Sequence, residues 1–377
     1  MKCDFLIVGA GLAGSILAER IATQMNRSVI IVDRRFHIGG NCYDYRAEDG
    51  VLIHKYGPHI FHTSNYKQFE YISRFTDWHL YYHTVLGSID GKLVPIPFNF
   101  NSLYELFPKK FAQRLEKKLI SKYGFGIKIP ILKLKEERDE EIQFLADYVY
   151  RNVFLNYTLK QWGLSPEELD PTVTSRIPVF LSRDNRYFQD TYQGIPRDGY
   201  TKIFERMLNH PNIKVFLNTD YADVKDEIKH NYLIYTGAID EFFDYKFGEL
   251  PYRSLRFSLQ KFDMPQYQPV AQVNYPNNQD YTRITEFKHF LPYKTPTTIV
   301  AFEYPEQFQR NKNERFYPIP RSDNRALYEK YLELTKELAS NTLFVGRLAE
   351  YRYYNMNEVV GIALMMFENK IRNLKLR

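Results

Sequence analysis

A glycine-rich turn directly after an apolar strand opens this chain and limits what its first segment can fold into. Residues 5–8 are apolar and lead into Gly9-Ala-Gly11-Leu-Ala-Gly14, after which a helix-like run begins. In a strand–turn–helix unit the first glycine allows a tight turn, the second lets the backbone approach a pyrophosphate, and the third lets the helix pack on the strand. The helix N-terminus adds free N–H groups and a positive dipole end. The segment predicts a Rossmann-like domain that binds a dinucleotide, although a glycine-rich turn in any α/β domain is the simpler alternative.

An acidic residue and a second pair of glycines follow the next apolar strand. Asp33 stands 19 residues after Gly14, where a carboxylate can hold a ribose hydroxyl. Gly39-Gly40 follows six residues later. This combination resembles the flavoproteins that bind FAD, whereas Rossmann domains that bind only NAD usually lack the second glycine pair. We therefore expect FAD in this domain, with contacts from Gly9, Gly11, Gly14, Asp33, Arg34, Gly39, Gly40 and Asn41.

The composition favours a globular enzyme of more than one domain. Among the 377 residues, 44% are hydrophobic and 25% are charged, so the chain can bury a large core. A net charge of +6 without a dense Lys/Arg tract fits a small anionic substrate better than nucleic acid. Two cysteines, Cys3 and Cys42, argue against a disulfide scaffold. The histidines at 54, 59 and 62 lack the spacing and the carboxylate of a typical metal site, so no metal is expected.

The sequence also predicts where the protein is found. Its apolar runs fall short of the roughly 20 residues that a bilayer span needs. Asp4 and three glycines interrupt the first apolar run, which argues against a signal peptide. We therefore expect a cytoplasmic enzyme without a membrane span.

Helical and strand segments alternate along the chain. Residues 102–162 have helical periodicity, and residues 252–303 alternate as strands. Residues 85–94 indicate a hairpin in which Asp90-Gly91 is the turn. Apolar strands at 232–237 and 342–347 are typical of strands that rejoin a cofactor sheet. We predict an α/β fold in which a Rossmann-like FAD-binding domain carries an inserted helical domain and a mixed or antiparallel substrate-binding sheet. The cofactor domain comprises residues 1–84 with about 190–245 and 330–377, the helical domain about 100–163, and the sheet domain about 85–99, 164–189 and 246–329.

Two groups of side chains outside the cofactor segments could bind a nucleotide. One is a helix face that combines a phenol, a hydroxyl, an amide and an indole: Tyr157, Thr158, Gln161 and Trp162. It could stack a flat base, or it could bury the indole against a neighbouring domain. The other is a pair of arginines, Arg176 and Arg283, which could clamp a diphosphate or form surface ion pairs. The residues alone leave both alternatives open.

With these segments together, the chain resembles the bacterial UDP-galactopyranose mutases over nearly its whole length. The resemblance is carried by Gly9-Ala-Gly11-Leu-Ala-Gly14, His37-Ile-Gly39-Gly40-Asn41, His54-Lys-Tyr56-Gly57-Pro58-His59-Ile-Phe61-His62-Thr63, Pro97-Phe98-Asn99, Tyr157-Thr158-Leu-Lys-Gln161-Trp162-Gly163, Arg176-Ile-Pro178, Asn185-Arg-Tyr187-Phe188, Tyr192-Gln-Gly194-Ile-Pro196, Tyr252-Arg253-Ser-Leu, Tyr281-Thr-Arg283-Ile, Glu303-Tyr304-Pro305, Tyr317-Pro318 and Gly346-Arg347-Leu-Ala-Glu350-Tyr351-Arg-Tyr353-Tyr354. So many matches in the same order argue against chance.

The resemblance implies an isomerase that interconverts UDP-galactopyranose and UDP-galactofuranose without net redox change. Its cofactor would be FAD, active only when reduced. In the mechanism proposed for the family, the flavin N5 attacks the anomeric carbon and expels UDP, the covalent flavin–sugar adduct opens and recloses as the furanose, and UDP returns. A UDP-sugar would be the small-molecule partner, and we expect a homodimer.

Residue roles carry over from the resemblance position by position. Arg176 and Arg283 would hold the diphosphate and stabilise charge on departing UDP. Arg176 lies in a proline-rich loop, 164–199, that would close over the substrate. His59, the third catalytic residue, would lie near the flavin, and Gly346-Arg347 would bind the flavin's ribityl–pyrophosphate region. The substrate would contact Asn99, Tyr157, Thr158, Trp162, Tyr187, Arg253, Asn274, Tyr317, Tyr353 and Asn355.

One position departs from the family pattern. Family members often carry Asp where this chain has Asn355. A carboxylate at this position would face a diphosphate, whereas the amide keeps the hydrogen-bonding capacity and lacks the charge.

Three other functions remain compatible with the sequence. A flavin-dependent oxidase of the same fold would share the glycine fingerprint, because fold does not determine function. A non-catalytic sensor of nucleotide sugars would share the whole binding site. The same ring contraction on UDP-N-acetylgalactosamine depends on the space beside the sugar C2. The paired arginines and the Tyr/Trp cluster favour a nucleotide sugar over the apolar substrate of an oxidase.

Overall fold

The computed structural model describes residues 1–174 and 177–374, and the chain forms two compact units. Unit 1 comprises Met1–Tyr81, Asp190–Pro251 and Asp323–Arg377. Unit 2 comprises Tyr82–Gln189 and Tyr252–Ser322. The segments that the sequence predicted as a helical domain and as a sheet domain lie mainly in unit 2.

Strands and helices follow one another along the described residues, and each type is numbered in chain order. The strands are β1 (Lys2–Val8), β2 (Val29–Val32), β3 (Asp44–Arg46), β4 (Leu52–His54), β5 (Phe61–Thr63), β6 (Trp78–Leu80), β7 (Val85–Ile89), β8 (Lys92–Ile96), β9 (Lys128–Ile129), β10 (Val179–Phe180), β11 (Tyr192–Pro196), β12 (Ile213–Phe216), β13 (Lys229–Tyr235), β14 (Tyr252–Phe262), β15 (Gln272–Asn274), β16 (Arg283–Glu286), β17 (Thr298–Gln307), β18 (Tyr317–Pro318) and β19 (Thr342–Phe344). The α-helices are α1 (Leu12–Met25), α2 (Tyr66–Ser73), α3 (Phe100–Leu106), α4 (Lys109–Tyr123), α5 (Ile131–Lys135), α6 (Glu140–Val149), α7 (Asn156–Trp162), α8 (Pro171–Thr174), α9 (Tyr200–Leu208), α10 (Tyr221–Val224), α11 (Ile239–Phe242), α12 (Ser322–Leu338) and α13 (Met356–Met366).

Unit 1 is built on a parallel five-stranded sheet with the order β12-β2-β1-β13-β19. Phe5, Leu6 and Ile7 of the central strand are fully buried. Such continuous apolar runs are typical of parallel strands that are covered on both faces. Apolar residues of α1, α9 and α13 pack in the core on one side of this sheet. The late strands rejoin this sheet, as the sequence predicted: β13 pairs with β1, and β19 pairs with β13. The Rossmann-like α/β fold is confirmed.

The register of this sheet brings separate chain segments to one edge. Val8, the last residue of β1, pairs with Val32 of β2 and with Tyr235 of β13. Tyr235 in turn pairs with Phe344 of β19. Because parallel strands end at the same edge, the turns after these four strands lie side by side. This edge is where the glycine motifs meet.

Unit 2 contains a seven-stranded mixed sheet with the order β18-β14-β17-β16-β15-β7-β8. Adjacent strands in this sheet are antiparallel, except that β15 and β7 are parallel. Asp90 and Gly91 join β7 to β8 and both have positive φ, 49° and 75°. This is the backbone that a tight hairpin turn requires, so the Asp-Gly hairpin is confirmed. The sequence predicted a sheet that is either mixed or antiparallel, and the observed sheet is mixed.

The helices of unit 2 form a second core. Buried residues of α3 to α6, with Phe154, pack together with β9 and β10. From Glu140 the chain continues through α6, a π-helical turn at Tyr150–Leu155 and α7 without a break. The periodicity predicted a continuous α-helix across this stretch, and the structure differs from that prediction only at the π-helical turn. The turn shifts the face of α7 relative to that of α6 because it adds residues to one turn. α7 ends at Trp162, and the left-handed φ of 71° at the following Gly163 terminates the helix.

The proline-rich stretch 164–199 was predicted to be a long loop. Its described part contains only short elements, namely a 3₁₀ turn at Pro166–Glu168, α8, β10 and β11. Ser175 and Arg176 are outside the described residues.

Candidate functional site

The first glycine turn packs against the beginning of α1. Gly11 is the N-cap of α1, and within the described chain no side chain caps this helix. A Cβ on Gly14 would overlap the carbonyl oxygen of Gly9, and a Cβ on Gly9, where φ is 104°, would overlap the hydroxyl of Thr236. These contacts require glycine for steric reasons. The first amides of α1 are therefore arranged for an anionic ligand rather than for a side-chain cap.

The second glycine pair lies on the first. Gly39 donates its N–H to the carbonyl oxygen of Ala10 at 2.8 Å. A Cβ on Gly40 would lie 3.0 Å from the Cα of Gly11, which is closer than side chains normally approach. The two turns therefore form a backbone cradle without side chains between them. Such a cradle fits the pyrophosphate of a dinucleotide.

Asp33 braces this cradle from the end of β2. Its carboxylate accepts the N–H of Ala10 at 2.8 Å and the N–H of Arg35 at 2.9 Å. The guanidinium of Arg35 donates to the Asn41 side chain at 2.9 Å and lies 4.4 Å from the centre of the Tyr56 ring. Asp33 thus shapes the turn in addition to its predicted contact with a ribose.

Arg34, which the sequence placed at the cofactor, has acidic partners inside unit 1. Its guanidinium lies 2.8 Å from Glu241 and 3.7 Å from Asp220. These ion pairs hold the side chain against the segments that carry α10 and α11. Its predicted contact with the cofactor remains a prediction.

The turn after β19 reaches the same cradle. A Cβ on Gly346 would contact Ala13 of α1 at 3.4 Å. The N–H of Gly346 is held by the carboxylate of Glu350 at 2.8 Å. Arg347 donates to the carbonyl oxygen of Tyr354 at 2.6 Å, and its guanidinium lies 5.2 Å from the centre of the Tyr353 ring. Residues from both ends of the chain therefore meet at one edge of the sheet.

His59 is a neutral histidine in unit 1. Its Nδ1 lies 2.7 Å from the carbonyl oxygen of Gly57, so this nitrogen carries the proton and Nε2 is the acceptor. Its backbone N–H donates to Nδ1 of His54 at 3.0 Å. Burial, with smaller contributions from His54 and Arg347, lowers the pKa of His59 to about 3. The ring can therefore accept a hydrogen bond at neutral pH and does not supply a positive charge.

In unit 2, two candidate residues and a glutamate lie on one rung of the mixed sheet. Asn274 of β15 pairs with Arg283 of β16, which pairs with Glu303 of β17. Residues directly opposite one another share a face of the sheet. Asn274 is buried and accepts a hydrogen bond from Gln272 at 3.1 Å. The rung places an amide, a guanidinium and a carboxylate in a row.

Arg283 is the electrostatic centre of this group. Its Nε lies 3.0 Å from Oε1 of Glu303, whose side chain is 3% exposed. Burial opposes the charged form, but Glu303 and the nearby phenols of Tyr157, Tyr187 and Tyr317 raise the pKa of Arg283 above its ordinary value. The guanidinium therefore stays charged in a half-enclosed, aromatic environment. The structure thus brings Arg283 and Asn274 together with three tyrosines that the sequence also placed at the substrate.

The predicted helix face on α7 exists as a mixed surface. Thr158 and Gln161 are buried, whereas Tyr157 and Trp162 are half-buried. The Trp162 ring lies 6.0 Å from that of Tyr317. The Oε1 atom of Gln161 is buried and has no hydrogen-bond partner among the residues that the structure describes. A buried oxygen of this kind costs free energy unless a donor reaches it.

Two predicted substrate residues of unit 2 have structural contacts. Asn99 is the N-cap of α3, accepts the N–H groups of Asn101 and Ser102, and donates to Asn185 at 3.0 Å. Arg253 of β14 donates from Nε to the carbonyl oxygen of Gln161 at 2.8 Å. These bonds occupy much of the polar capacity of both side chains. Their contact with a substrate remains a prediction.

Three predicted residues remain: Tyr353 and Asn355 lie in unit 1, and Arg176 is not among the described residues. Tyr353 lies beside Arg347, and Asn355 is the N-cap of α13, with its backbone N–H on Glu358 at 2.7 Å. The capping role accounts for an Asn at this position, since Asn and Asp cap helices equally well.

Two residues with clear roles in these sites were not assigned by the sequence. Glu303 holds Arg283, and Glu350 holds the N–H of Gly346. Both occur inside motifs that the resemblance used, Glu303-Tyr304-Pro305 and Gly346 to Tyr354. A carboxylate inside an apolar strand, as at Glu303, was the available signal, because acids are rarely buried without a partner.

Membrane spans and metal clusters are both absent from residues 1–174 and 177–374. In these ranges no helix is long and apolar enough to cross a membrane. Likewise, no group of three or more His, Cys, Asp or Glu side chains is arranged there to hold a metal ion.

Comparison with known families matches two parts of the chain. Residues 152–353 match the model of the family described as UDP-galactopyranose mutase. Residues 7–76 match an NAD(P)-binding Rossmann-like domain. The second match covers the glycine cradle, and the first covers the arginine rung and α7.

Similar proteins align with almost the whole chain. A probable UDP-galactopyranose mutase of Klebsiella pneumoniae is 35% identical over 96% of this chain and 93% of its own. A dTDP-fucopyranose mutase of Escherichia coli is 33% identical over 98% of this chain and 99% of its own. A crystal structure of reduced UDP-galactopyranose mutase has the same fold, with a TM-score of 0.72 at 16% identity over 99% of this chain and 96% of its own.

The two glycines at the start of α1 should have separable roles. The Gly14→Ala variant should lose about 1–3 kcal/mol of unfolding free energy because the new Cβ overlaps the backbone of Gly9. In the Gly11→Ala variant the new Cβ meets only an ordinary contact at 3.8 Å. That variant should keep its stability and lose about tenfold or more in affinity for the dinucleotide, because the Cβ occupies the cradle.

Urea unfolding of the cofactor-free variants and titration with FAD would measure both effects. Each variant is the control for the other. Equal destabilisation of the two would contradict the assignment of Gly11 to the ligand and of Gly14 to helix packing.

Proposed function

Because the chain belongs to the UDP-galactopyranose mutase family, we propose that it interconverts UDP-galactopyranose and UDP-galactofuranose without net redox change, using reduced FAD. The class of enzyme, a mutase and hence an isomerase, follows from the family. The observation that carries the proposal is Arg283, a charged guanidinium held by Glu303 among tyrosine phenols. This group suits a leaving diphosphate better than the apolar substrate of an oxidase.

Arg283 would stabilise the charge that develops when UDP leaves the sugar. A guanidinium binds phosphate oxygens through two parallel N–H groups and cannot lose its proton at neutral pH. Glu303 lies beside the Nε side of the group as its ion-pair partner, so the charge is held at this place before substrate binds. Preorganised charge of this kind lowers the barrier more than a mobile surface arginine would.

The face of α7 would bind the uridine. Tyr157 and Trp162 present aromatic surface, and the flat uracil ring can stack on such a surface. The buried oxygen of Gln161 supports a ligand at this face, since a donor from the ligand would satisfy it. Tyr187 and Tyr317, near Arg283, would donate hydrogen bonds to the phosphates.

The residues of unit 1 fit FAD. The cradle formed by Gly9, Gly11 and Gly40 would hold the pyrophosphate, and Asp33 would bind the ribose of the adenosine. Arg347 would bind the ribityl–pyrophosphate region, as the resemblance implies. When reduced, FAD supplies a nucleophilic nitrogen that can take the sugar from UDP. His59 would offer Nε2 as an acceptor, because its Nδ1–H is used by Gly57.

Several finer points of the proposal rest on the resemblance. A second diphosphate contact from Arg176, closure of its loop, a homodimer and a cytoplasmic location are all predictions of this kind. A sugar contact from Asn274 and a substrate contact from Asn355, at a position that faces the diphosphate, are also predictions.

A second candidate substrate is supported by one comparison. The dTDP-fucopyranose mutase aligns with this chain as completely as the UDP-galactopyranose mutases do. The substrate in its name carries a thymine base and a 6-deoxy sugar, and the proposed chemistry at the anomeric carbon would serve it equally. UDP-N-acetylgalactosamine is a third candidate substrate for this chemistry. We favour UDP-galactopyranose because the family model carries that activity.

The proposal is tested by incubating the purified protein with each nucleotide sugar under nitrogen, with and without dithionite. UDP-galactofuranose, UDP-galactopyranose, dTDP-fucopyranose and UDP-N-acetylgalactosamine would be compared by chromatography. Conversion of the UDP-galactose pair only with reduced flavin would support the proposal. Faster conversion of the dTDP sugar would select the second candidate. Binding of a nucleotide sugar without conversion in either redox state would favour a sensor. Oxygen consumption with an apolar electron donor would favour an oxidase.

Arg283→Ala should lower turnover by about 100- to 1,000-fold, the usual effect of losing one preorganised charge stabiliser. FAD occupancy should stay unchanged, because Arg283 lies in unit 2 and the glycine cradle lies in unit 1. Arg283→Lys should retain part of the activity, since lysine keeps the charge and loses the planar fork. Arg325→Ala, which removes an exposed arginine of α12, is the control. Near-normal turnover of Arg283→Ala would contradict the role of Arg283 in stabilising the departing UDP.

Trp162→Ala should weaken UDP binding by about 1–3 kcal/mol, the size of one lost base–aromatic stack. Trp162→Phe should retain most of the affinity because it keeps a stacking surface. Titration calorimetry with UDP on the flavin-loaded protein measures both variants. If UDP binds all three proteins equally, the indole is a packing residue.

A further inference from the structure

A lysine ammonium on α7 is held by the carbonyl oxygens of another segment. Nζ of Lys160 donates to the backbone oxygens of Tyr275 at 2.5 Å, Gln279 at 3.0 Å and Tyr281 at 3.2 Å. An ammonium has three N–H groups and no acceptor, so these bonds use its full capacity. All four residues lie in unit 2.

The three carbonyls belong to the connection between β15 and β16. This connection starts after Asn274 and ends before Arg283, the two residues that share a rung with Glu303. The N–H of Tyr275 donates to the carbonyl oxygen of Thr282 at 2.8 Å, which closes the connection into a hairpin. Lys160 therefore clips α7 to the hairpin that carries Arg283.

Lys160 sits between the residues assigned to the nucleotide. On the helix it follows Tyr157 by three positions and precedes Trp162 by two. A second cation anchors the same turn, because Arg253 donates to the carbonyl oxygens of Lys160 at 3.1 Å and Gln161 at 2.8 Å. The C-terminal turn of α7 is thus fastened to β14 by Arg253 and to the β15–β16 hairpin by Lys160.

We propose that Lys160 is a positioning residue that sets the distance between the aromatic face of α7 and the guanidinium of Arg283. The inference rests on the proposed function, because that function assigns base and diphosphate of one nucleotide to these two groups. A nucleotide has a fixed span between base and diphosphate, so only one separation lets both groups bind together. A misplacement of about 1 Å in such an arrangement can cost about 100-fold in rate.

Burial of this ammonium has a cost that the three carbonyls offset. Burial lowers the pKa of Lys160 to about 8. The charged form is still the main one at pH 7, and it retains all three hydrogen bonds. An apolar side chain would leave the carbonyls of Tyr275, Gln279 and Tyr281 without this donor, so the connection would have to move to find others.

The first test compares Lys160→Met with Lys160→Arg in the full-length, flavin-loaded protein. Methionine keeps the length and removes the donors, whereas arginine keeps a charged donor group. Lys133→Met, at an exposed lysine of α5 in the same unit, is the matched control. Lys160→Met should weaken UDP binding by about tenfold and lower kcat/KM by about 10- to 100-fold, with unchanged flavin content. Lys160→Arg should recover part of the loss, and Lys133→Met should match the unchanged protein.

A double-mutant cycle on UDP affinity separates positioning from general stability. If Lys160 acts through Arg283, Lys160→Met should cost far less in an Arg283→Ala background than in the unchanged protein. Equal losses in the two backgrounds would overturn the proposal. A lowered melting temperature with normal UDP affinity would overturn it as well.

Hydrogen exchange gives a measurement that does not depend on turnover. Amides of residues 275–282 should exchange faster in Lys160→Met than in Lys133→Met, because the hairpin has lost its clip. If the protein converts no UDP-sugar but these amides loosen and UDP affinity falls, the proposed function fails and the positioning role stands. If conversion is normal and the amides are unchanged in Lys160→Met, the positioning role fails alone.

Discussion

The register between β1 and its two neighbours is the constraint on which unit 1 depends. Val8 pairs with Val32 on one side and with Tyr235 on the other, so turns from the start, the middle and the end of the chain meet at one edge. A shift of this register would separate Gly9 from Thr236 and Asp33 from the amide of Ala10. The cradle is therefore a product of strand pairing, and Gly11 and Gly40 leave room for a phosphate because they place no Cβ between the two turns.

In unit 2 the corresponding problem is how to hold charge in partly buried surroundings. Each of three cations there has specific partners: Glu303 for Arg283, and backbone carbonyls for Lys160 and for Arg253. Such partners offset the cost of desolvation and also fix geometry, because a buried donor without its acceptor is expensive. These contacts hold α7, β14 and the β15–β16 hairpin together within the unit. In the proposed function, this is what makes one nucleotide site of the rung that carries Arg283 and the aromatic face of α7.

Local patterns account for much of what the sequence predicted. The glycine spacing, the Asp90-Gly91 turn, the helical periodicity from Glu140 and the late strand ending at Tyr235 are short-range signals, and each appears in the structure. The π-turn at Tyr150–Leu155 was missed, since one extra residue in a turn hardly changes hydrophobic periodicity. The predicted roles of Asn99 and Arg253 came from motifs, whereas their contacts with α3 and α7 depend on residues far away in the chain.

The sequence alone determined the class of this protein: a dinucleotide-binding α/β chain of a mutase family, with Arg283 and an aromatic helix turn as candidate site residues. The dinucleotide-binding α/β unit could be predicted because strand–turn–helix geometry and glycine requirements are encoded within a few residues. The mutase family came instead from the resemblance of many motifs in the same order. Only the tertiary structure decided which side chains share a site. Glu303 is 20 residues from Arg283, and Lys160 is more than 100 residues from the carbonyls that it binds. Those pairings depend on sheet order and helix packing, which no local pattern specifies.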